Sequence, residues 1–225
     1  MKSLLNLKTA ATLITLAMAS QSFASAQHYV IRSKADHDTG IHFDVTYTAG
    51  IHHGVSRAVE GDVFVSVNPV QVTTVNLKVP LASITSGDLN RDCHIRESLG
   101  IDYTNSKFPK EHVCSPTNEL ATSGPDSVKF PNVELTILNV KSTDVLTAGS
   151  AVTVPAQVRM SIHGITREFS IPLSLTMATD GTNTLRVVSQ FPVQMSDYQV
   201  QVKQFLFVKV TDEVKVKVDL VLVPQ

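Results

Sequence analysis

The sequence predicts an all-β fold in which an antiparallel sheet of about eight strands closes, or nearly closes, into a barrel that carries one short helix. Three observations predict it. Apolar and polar residues alternate through most of the chain, a glycine turn separates two of the longest alternating runs, and one segment loses the alternation. Because side chains of a strand point to opposite faces in turn, this alternation is typical of strands with one buried face.

The N-terminus has the features of a secretory signal peptide. Lys2 and Lys8 precede or flank an apolar stretch at 9–19, and small residues stand at Ala24 and Ala26 in the A-x-A pattern that precedes cleavage. A membrane anchor is the alternative, but the apolar core is too short to span a bilayer. We therefore predict a signal peptide over residues 1–26, cleaved after Ala26.

Cleavage would leave a mature chain of 225 − 26 = 199 residues, Gln27–Gln225. Two lysines leave with the peptide, so the formal charge is 17 − 20 = −3. A chain this close to neutral has no strongly basic face for nucleic acid, and no second apolar run is long enough to cross a membrane. The sequence predicts one domain, 27–225, in a periplasmic or secreted protein, and leaves a homodimer open.

The predicted strands share the same alternation of apolar and polar residues. They cover 41–47, 59–67, 73–81, 128–138, 151–162, 167–177, 185–195 and 208–223. In the last of them, valines and leucines predict a buried face, and Lys209, Lys215, Lys217 and Asp219 predict a solvated one.

Two of these runs form a predicted hairpin. The segments 151–162 and 167–177 flank "HGIT", in which Gly164 can take a positive φ. Pro155 and Pro172 predict a bulge or an unpaired edge in each strand, because proline has no N–H to donate to a neighbouring strand.

The segment "SGDLNRDCHIRESLGI" predicts the helix. Asp88 is an N-cap candidate, Leu89, Ile95 and Leu99 are its apolar residues, and Gly100 marks its end.

Both cysteines lie in or just after this segment. In an exported protein, Cys93 and Cys114 are predicted to form a disulfide, which closes a loop of about twenty residues and stabilises the fold by about 3 kcal/mol. A zinc site that adds His94 and His112 is one alternative, although adjacent Cys93 and His94 do not have the usual spacing of a ligand pair. A thiol nucleophile is another, and it requires a free cysteine.

No other pattern points to catalysis. Asp36, His37 and Asp38 could form a metal cluster with the histidines at 42, 52 and 53, but nothing in their spacing brings them together. The sequence contains no nucleophile elbow, phosphate-binding loop or H-E-x-x-H motif. We predict that the protein is not an enzyme and carries no cofactor or metal.

Over nearly the whole mature chain, the sequence resembles the YceI-like family of exported, lipocalin-like, polyisoprenoid-binding barrels. The resemblance rests on the order and spacing of several segments rather than on one motif. These are "HYVIRSKADHDTGIHFDVTY", "VEGDVFVSV", "LASITSGDLNRDCHIRESLGIDYTNSKFP", "VRMSIHGITREFSIPLSL", "MSDYQV" and "VTDEVKVKVDLVL". In "MSDYQV" the family's arginine and glycine are missing, and 110–126 is longer than usual.

The resemblance implies a binding or carrier protein that holds an elongated isoprenoid or fatty-acyl-like molecule inside the barrel. The alternative is a secreted structural or protein-interaction module whose interior is filled by its own side chains. Alternation and family position together predict these ligand-binding residues: Phe43, Ile101, Tyr103, Phe108, Leu135, Met160, Phe169, Leu173, Phe191 and Phe205.

Overall fold

The computed structural model describes residues 25–32, 39–114, 119–202 and 209–225. Nearly all of the predicted signal peptide, the Asp36–Asp38 segment and Phe205 lie outside these ranges.

Twelve strands lie within the described ranges, where about eight were expected. The eight predicted runs all form strands, and the four additional strands, β1, β3, β5 and β8, have at most seven residues each. The strands are β1 (Gln27–Ile31), β2 (Gly40–Tyr47), β3 (Gly50–Ser56), β4 (Asp62–Val67), β5 (Val70–Val72), β6 (Val75–Pro80), β7 (Asn132–Ile137), β8 (Val140–Lys141), β9 (Ala151–Ile162), β10 (Ile165–Met177), β11 (Leu185–Gln194) and β12 (Val210–Pro224).

All of these strands belong to one antiparallel sheet that is curled into a half-barrel, which confirms the predicted all-β, lipocalin-like class. The strand order is β6-β7-β9-β10-β11-β12-β1-β4-β5-β8. Strand β12 organises the sheet, because one of its edges pairs with β11 while the other is divided between β1 and the β2–β3 hairpin. Two isolated bridges add contacts across the curled sheet: Glu60, just before β4, pairs with Lys78 on β6, and Val55 on β3 pairs with Thr85.

The predicted hairpin is confirmed. Strands β9 and β10 pair in one unbroken register, and the turn between them has positive φ at His163 (52°) and Gly164 (73°), as a two-residue type I′ turn requires. Pro155 stands directly opposite Pro172 without a bulge. The pairing of β9 with β7 and of β10 with β11 does not extend to these prolines, so the missing N–H groups face unpaired edges.

Helix α1 (Leu89–Gly100) has the predicted ends, and the Asp88 side chain accepts a hydrogen bond from Arg91 N as its N-cap. Its buried face differs from the prediction, since Leu89 is exposed. The helix instead buries polar side chains, among them Asp92, Arg96 and Glu97. The described residues contain no helix with the length and apolarity needed to cross a membrane.

Asp219 also differs from its prediction, because it is buried rather than solvated. It lies on the polar face of β12, yet only 1% of it is exposed. Arg186 on β11 covers it with two hydrogen bonds of 2.8 and 2.7 Å, and Lys217 Nζ lies 3.4 Å away. The hydrogen bonds from Arg186 hold the pKa of Asp219 below its usual range.

Replacing Arg186 by methionine is expected to lower the free energy of unfolding by about 2 kcal/mol, because a buried carboxylate loses its main partner. Since the pKa of Asp219 is lower in the folded than in the unfolded state, this stabilisation is present above about pH 4 and is lost as the pH falls through the folded-state pKa. Urea unfolding at neutral pH and at decreasing pH measures both effects.

The matched control is Arg159→Met, because Arg159 and Glu168 form a pair in which both side chains are exposed. This variant should lose less than about 1 kcal/mol. Equal losses in the two variants, or a loss at Arg186 that does not diminish in acid, would contradict the assignment.

Candidate functional site

A cavity lies between the curled sheet and α1. Strand β2 and its partner β12 form one wall, β7, β9 and β11 form another, and α1 with the preceding loop closes the top. The lining residues are Ile41, Phe43, Val45, Ser56, Val79, Ile84, Ile95, Ser98, Leu99, Val133, Leu135, Met160, Ile162, Phe191, Val193, Met195, Val200, Val202, Val210, Thr211, Val214, Val216 and Val218.

The lining is apolar and uncharged throughout the described part of the chain. Only Ser56, Ser98 and Thr211 bring hydroxyl groups to it. The Ser56 and Ser83 hydroxyls form a 2.7 Å hydrogen bond with each other. The Ser98 hydroxyl donates to Ile95 O at 2.8 Å, and the Thr211 hydroxyl donates to Thr46 O at 3.1 Å. Each hydroxyl therefore already has a protein partner, and the lining favours an apolar molecule over a polar one.

The cavity volume is about 180 Å³. An apolar protein cavity of about 150 Å³ admits benzene, so this space accommodates roughly one isoprene unit and part of a second. A longer molecule must extend beyond the cavity or widen it.

In the part of the chain that the structure describes, this cavity lies at the end of the barrel beneath α1. At the other end, inward side chains pack against one another, among them Val154, Leu173, Leu175 and Leu185, all of which are buried core residues. The two sequence-based expectations, a hollow barrel and a filled one, therefore apply to different ends of the same sheet.

Polar contacts hold α1 over the cavity. Asp92, which is 1% exposed, accepts hydrogen bonds from Thr85 Oγ1 at 2.9 Å and from Ser86 N at 2.6 Å. Arg96 donates to the carbonyl oxygen of Ile84 through Nε at 3.0 Å. Because Ile84 and Ile95 both line the cavity, the buried polar face of α1 sets the position of its cavity wall.

The structure brings part of the predicted ligand-binding set together at the cavity. Phe43, Leu135, Met160 and Phe191 all line it. The Phe43 ring packs closely against its cross-strand partner Gly54, where an added Cβ atom would come within 2.0 Å of the ring. A larger residue at Gly54 would therefore displace Phe43.

Two predicted residues on β10 lie elsewhere. Leu173 belongs to the packed end of the barrel, 3% exposed, and Phe169 packs against Phe191 with ring centroids 5.6 Å apart. Both point inward as the alternation predicts, but neither lines the cavity, because inward-facing positions along a strand divide between the packed and hollow ends.

The predicted mouth residues Ile101, Tyr103 and Phe108 also lie outside the lining. Ile101 is fully buried at the end of α1, and its carbonyl oxygen lies 2.6 Å from His163 Nε2. Phe108 is buried against Tyr103, with centroids 5.9 Å apart. These residues form a packed layer beside the cavity.

Tyr103 nevertheless contacts two segments that form walls of the cavity. Its hydroxyl donates to the carbonyl oxygen of Ser98 on α1 and accepts from Gln201 N at 3.1 Å. Val200 and Val202, on either side of Gln201, line the cavity. Tyr103 thus links two walls, and burial raises its pKa to about 12, so the hydroxyl keeps its proton at physiological pH.

Three parts of the lining were not predicted from the sequence: its valines, its α1 residues and the segment after β11. That segment contains a short 3-10 turn, Met195–Tyr198, followed by Gln199 at φ 52°. This is the position where the family pattern has glycine, which takes a positive φ without strain. The turn brings Val200 to the cavity. The segment "MSDYQV" was the sequence signal from which this part of the lining could have been predicted.

Cys93 on α1 and Cys114 in the following loop form a disulfide with a Cα–Cα distance of 5.8 Å. His94 Nδ1 lies 3.2 Å from Cys114 Sγ. The bridge attaches the loop after α1 to the helix at a face away from the cavity lining.

Among the other histidines considered as metal ligands, His53 lies 2.6 Å from Asp44 and His52 stacks on Tyr47 with centroids 4.0 Å apart. Both rings therefore have partners within the β2–β3 hairpin, and His52 Nδ1 also lies 3.0 Å from Arg91 Nη1 on α1.

The comparisons with known proteins agree with the observed fold. The family model of the YceI-like domain matches residues 26–222. A polyisoprenoid-binding domain from Saccharophagus degradans, described as implicated in plant cell wall breakdown, is 13% identical, with 88% of this chain and 98% of that chain covered and a TM-score of 0.55.

Two further structures are similar. BcnA from Burkholderia cenocepacia is 16% identical over 81% of this chain and 94% of its own, with a TM-score of 0.53. The YCEI protein of Campylobacter jejuni is 11% identical over 76% and 84%, with a TM-score of 0.51. No curated protein sequence matches the chain. At these identities the structural likeness concerns the fold.

Proposed function

The chain belongs to the YceI-like family, and on that premise we propose that it is an exported binding or carrier protein for an elongated apolar lipid of the isoprenoid or fatty-acyl class. The observation that carries the proposal is the cavity beneath α1, which is lined by apolar side chains and by hydroxyls that already have partners. Burial of each CH₂ group in such a space contributes about 0.8 kcal/mol.

The same lining determines which part of the lipid it holds. Among the described lining residues none is charged, so a carboxylate or phosphate head group placed inside would lose its hydration without gaining a counter-ion. The apolar end therefore enters, and the head group stays outside. The role is binding rather than catalysis.

Export belongs to the proposal as well. We assign residues 1–26 as a signal peptide and 27–225 as the mature domain, in the periplasm or outside the cell. The start of the family match at residue 26, next to the predicted cleavage point, supports this division.

Native mass spectrometry of the protein purified from its export compartment tests these points together. We expect a chain that begins at Gln27, lacks two hydrogens because of the disulfide, and carries a ligand of a few hundred daltons that organic solvent extracts. A bare polypeptide that also fails to bind a fluorescent fatty-acid probe would overturn the carrier function and favour the structural or interaction module.

A further inference from the structure

Four side chains with metal-binding atoms converge at the disulfide, on the side of α1 away from the lipid cavity. Cys93 and Glu97 lie four residues apart on α1, and His112 and Cys114 lie two apart in the loop that the disulfide attaches. One ligand atom from each lies within 4.8 Å of all the others. The sequence suggested His94 as a partner, whereas Glu97, one helical turn from Cys93, completes this group.

The cluster is compact and largely shielded from water. His112 Nε2 lies 2.6 Å from Glu97 Oε2, and Cys114 Sγ lies 3.7 Å from the same oxygen. The side chains of His112 and Glu97 are only 11% and 8% exposed. A tetrahedral zinc ion with bonds of about 2.0–2.3 Å separates its ligand atoms by about 3.3–3.8 Å. The two sulfur atoms must move substantially apart on reduction, and His112 Nε2 and Glu97 Oε2, now 2.6 Å apart, must separate by about 0.7 Å.

A second observation points to a metal. The other ring nitrogen of His112, Nδ1, lies 3.2 Å from Asp126 Oδ2, and Asp126 in turn accepts a 2.5 Å hydrogen bond from Ser106. A carboxylate that orients a histidine through the nitrogen facing away from the metal is a recurrent feature of metal sites.

We propose that the Cys93–Cys114 disulfide is the oxidised state of a redox-dependent zinc site, in which the two thiolates, His112 Nε2 and a Glu97 carboxylate oxygen bind one ion. A dithiol reductant supplies the two electrons and two protons that convert the disulfide to two thiols, and the reductant itself becomes a disulfide. Metal binding then displaces the two thiol protons. Two thiolates, an imidazole and a carboxylate form a donor set that Zn²⁺ accepts.

The consequence is that the loop after α1 stays attached to the helix in both redox states. The disulfide attaches it under oxidising conditions, and the metal replaces that attachment after reduction. Because every ligand lies outside the lining of the lipid cavity, this property is independent of the proposed carrier function.

The test uses Co²⁺ as a spectroscopic probe for zinc. The mature protein, reduced with a phosphine and kept under argon, is titrated with Co²⁺ and then with Zn²⁺. We expect one equivalent of Co²⁺ to give thiolate-to-cobalt charge-transfer and tetrahedral d–d absorption, both lost on addition of Zn²⁺. The oxidised protein should give neither signal.

Variants distinguish a four-ligand metal site from metal binding by the two thiols alone. His112→Ala and Glu97→Gln should each weaken Co²⁺ binding by at least about tenfold. His53→Ala, which removes an exposed histidine elsewhere, should not change it. Absence of the charge-transfer bands in the reduced wild type, or equal affinity in His112→Ala, overturns the proposal.

If reduction unfolds the chain, circular dichroism recorded on the same samples measures whether metal refolds it. Zn²⁺ should then restore the sheet signal in the wild type and not in His112→Ala, because metal binding and folding are coupled. Failure of Zn²⁺ to restore it in the wild type counts against the site.

Discussion

Replacing Ile95 by glutamate is expected to lower the affinity of the protein for an apolar probe at least 100-fold. Ile95 lies on α1 and lines the cavity, among side chains that offer no cation. A carboxylate placed there must either lose its hydration or turn towards solvent and displace the wall, and the first option alone costs several kcal/mol. Titration with a fluorescent fatty acid measures the affinity.

Leu89→Glu is the matched control. It introduces the same charge on the same helix, but Leu89 is 58% exposed and lies outside the lining. Its affinity should equal that of the wild type. Ile95→Val, which keeps the wall apolar, should stay within a few-fold of the wild type. If Ile95→Glu binds normally while folded, the lipid does not occupy this cavity.

Replacing Asp92 by alanine is expected to lower the free energy of unfolding by about 3 kcal/mol. The change leaves Ser86 N and the Thr85 hydroxyl without their acceptor at the base of α1. Unsatisfied partly buried donors each cost about 1–3 kcal/mol. The variant also loses a negative charge from the first helical turn, where it interacts favourably with the helix dipole. Urea unfolding provides the measurement.

Asp180→Ala provides the comparison for this prediction, because Asp180 accepts hydrogen bonds from Thr182 in an exposed turn. It should cost less than about 1 kcal/mol. Asp92→Asn, which retains one acceptor oxygen, should lie between the two. A loss at Asp92 no larger than that at Asp180 would mean that α1 is held by its other contacts.

The strands that the sequence predicted correctly are those in which five or more residues alternate. Their pattern is local, because successive side chains of a strand point to opposite faces wherever the strand pairs. Strands β5 and β8 have three and two residues and are too short to show a period, and β3, "GIHHGVS", has polar residues at positions where the period requires apolar ones. They depend on partners that are distant in sequence.

The helix shows a different limit. Its ends were predictable because an N-cap depends on local backbone geometry. Its orientation was not, because Asp92 and Arg96 are buried through hydrogen bonds to the loop at 84–86. A burial pattern that rests on specific polar partners leaves no hydrophobic period in the sequence.

The sequence by itself determined the all-β class, the inward faces of the long strands, the β9–β10 turn and the helix boundaries, since each depends on residues close in the chain. Tertiary structure alone decided which inward residues surround empty space and which fill the core. Leu173 and Met160 follow the same alternation, yet only Met160 lines the cavity. Alternation specifies a face of the sheet, whereas a cavity depends on what packs opposite that face, and here that is α1.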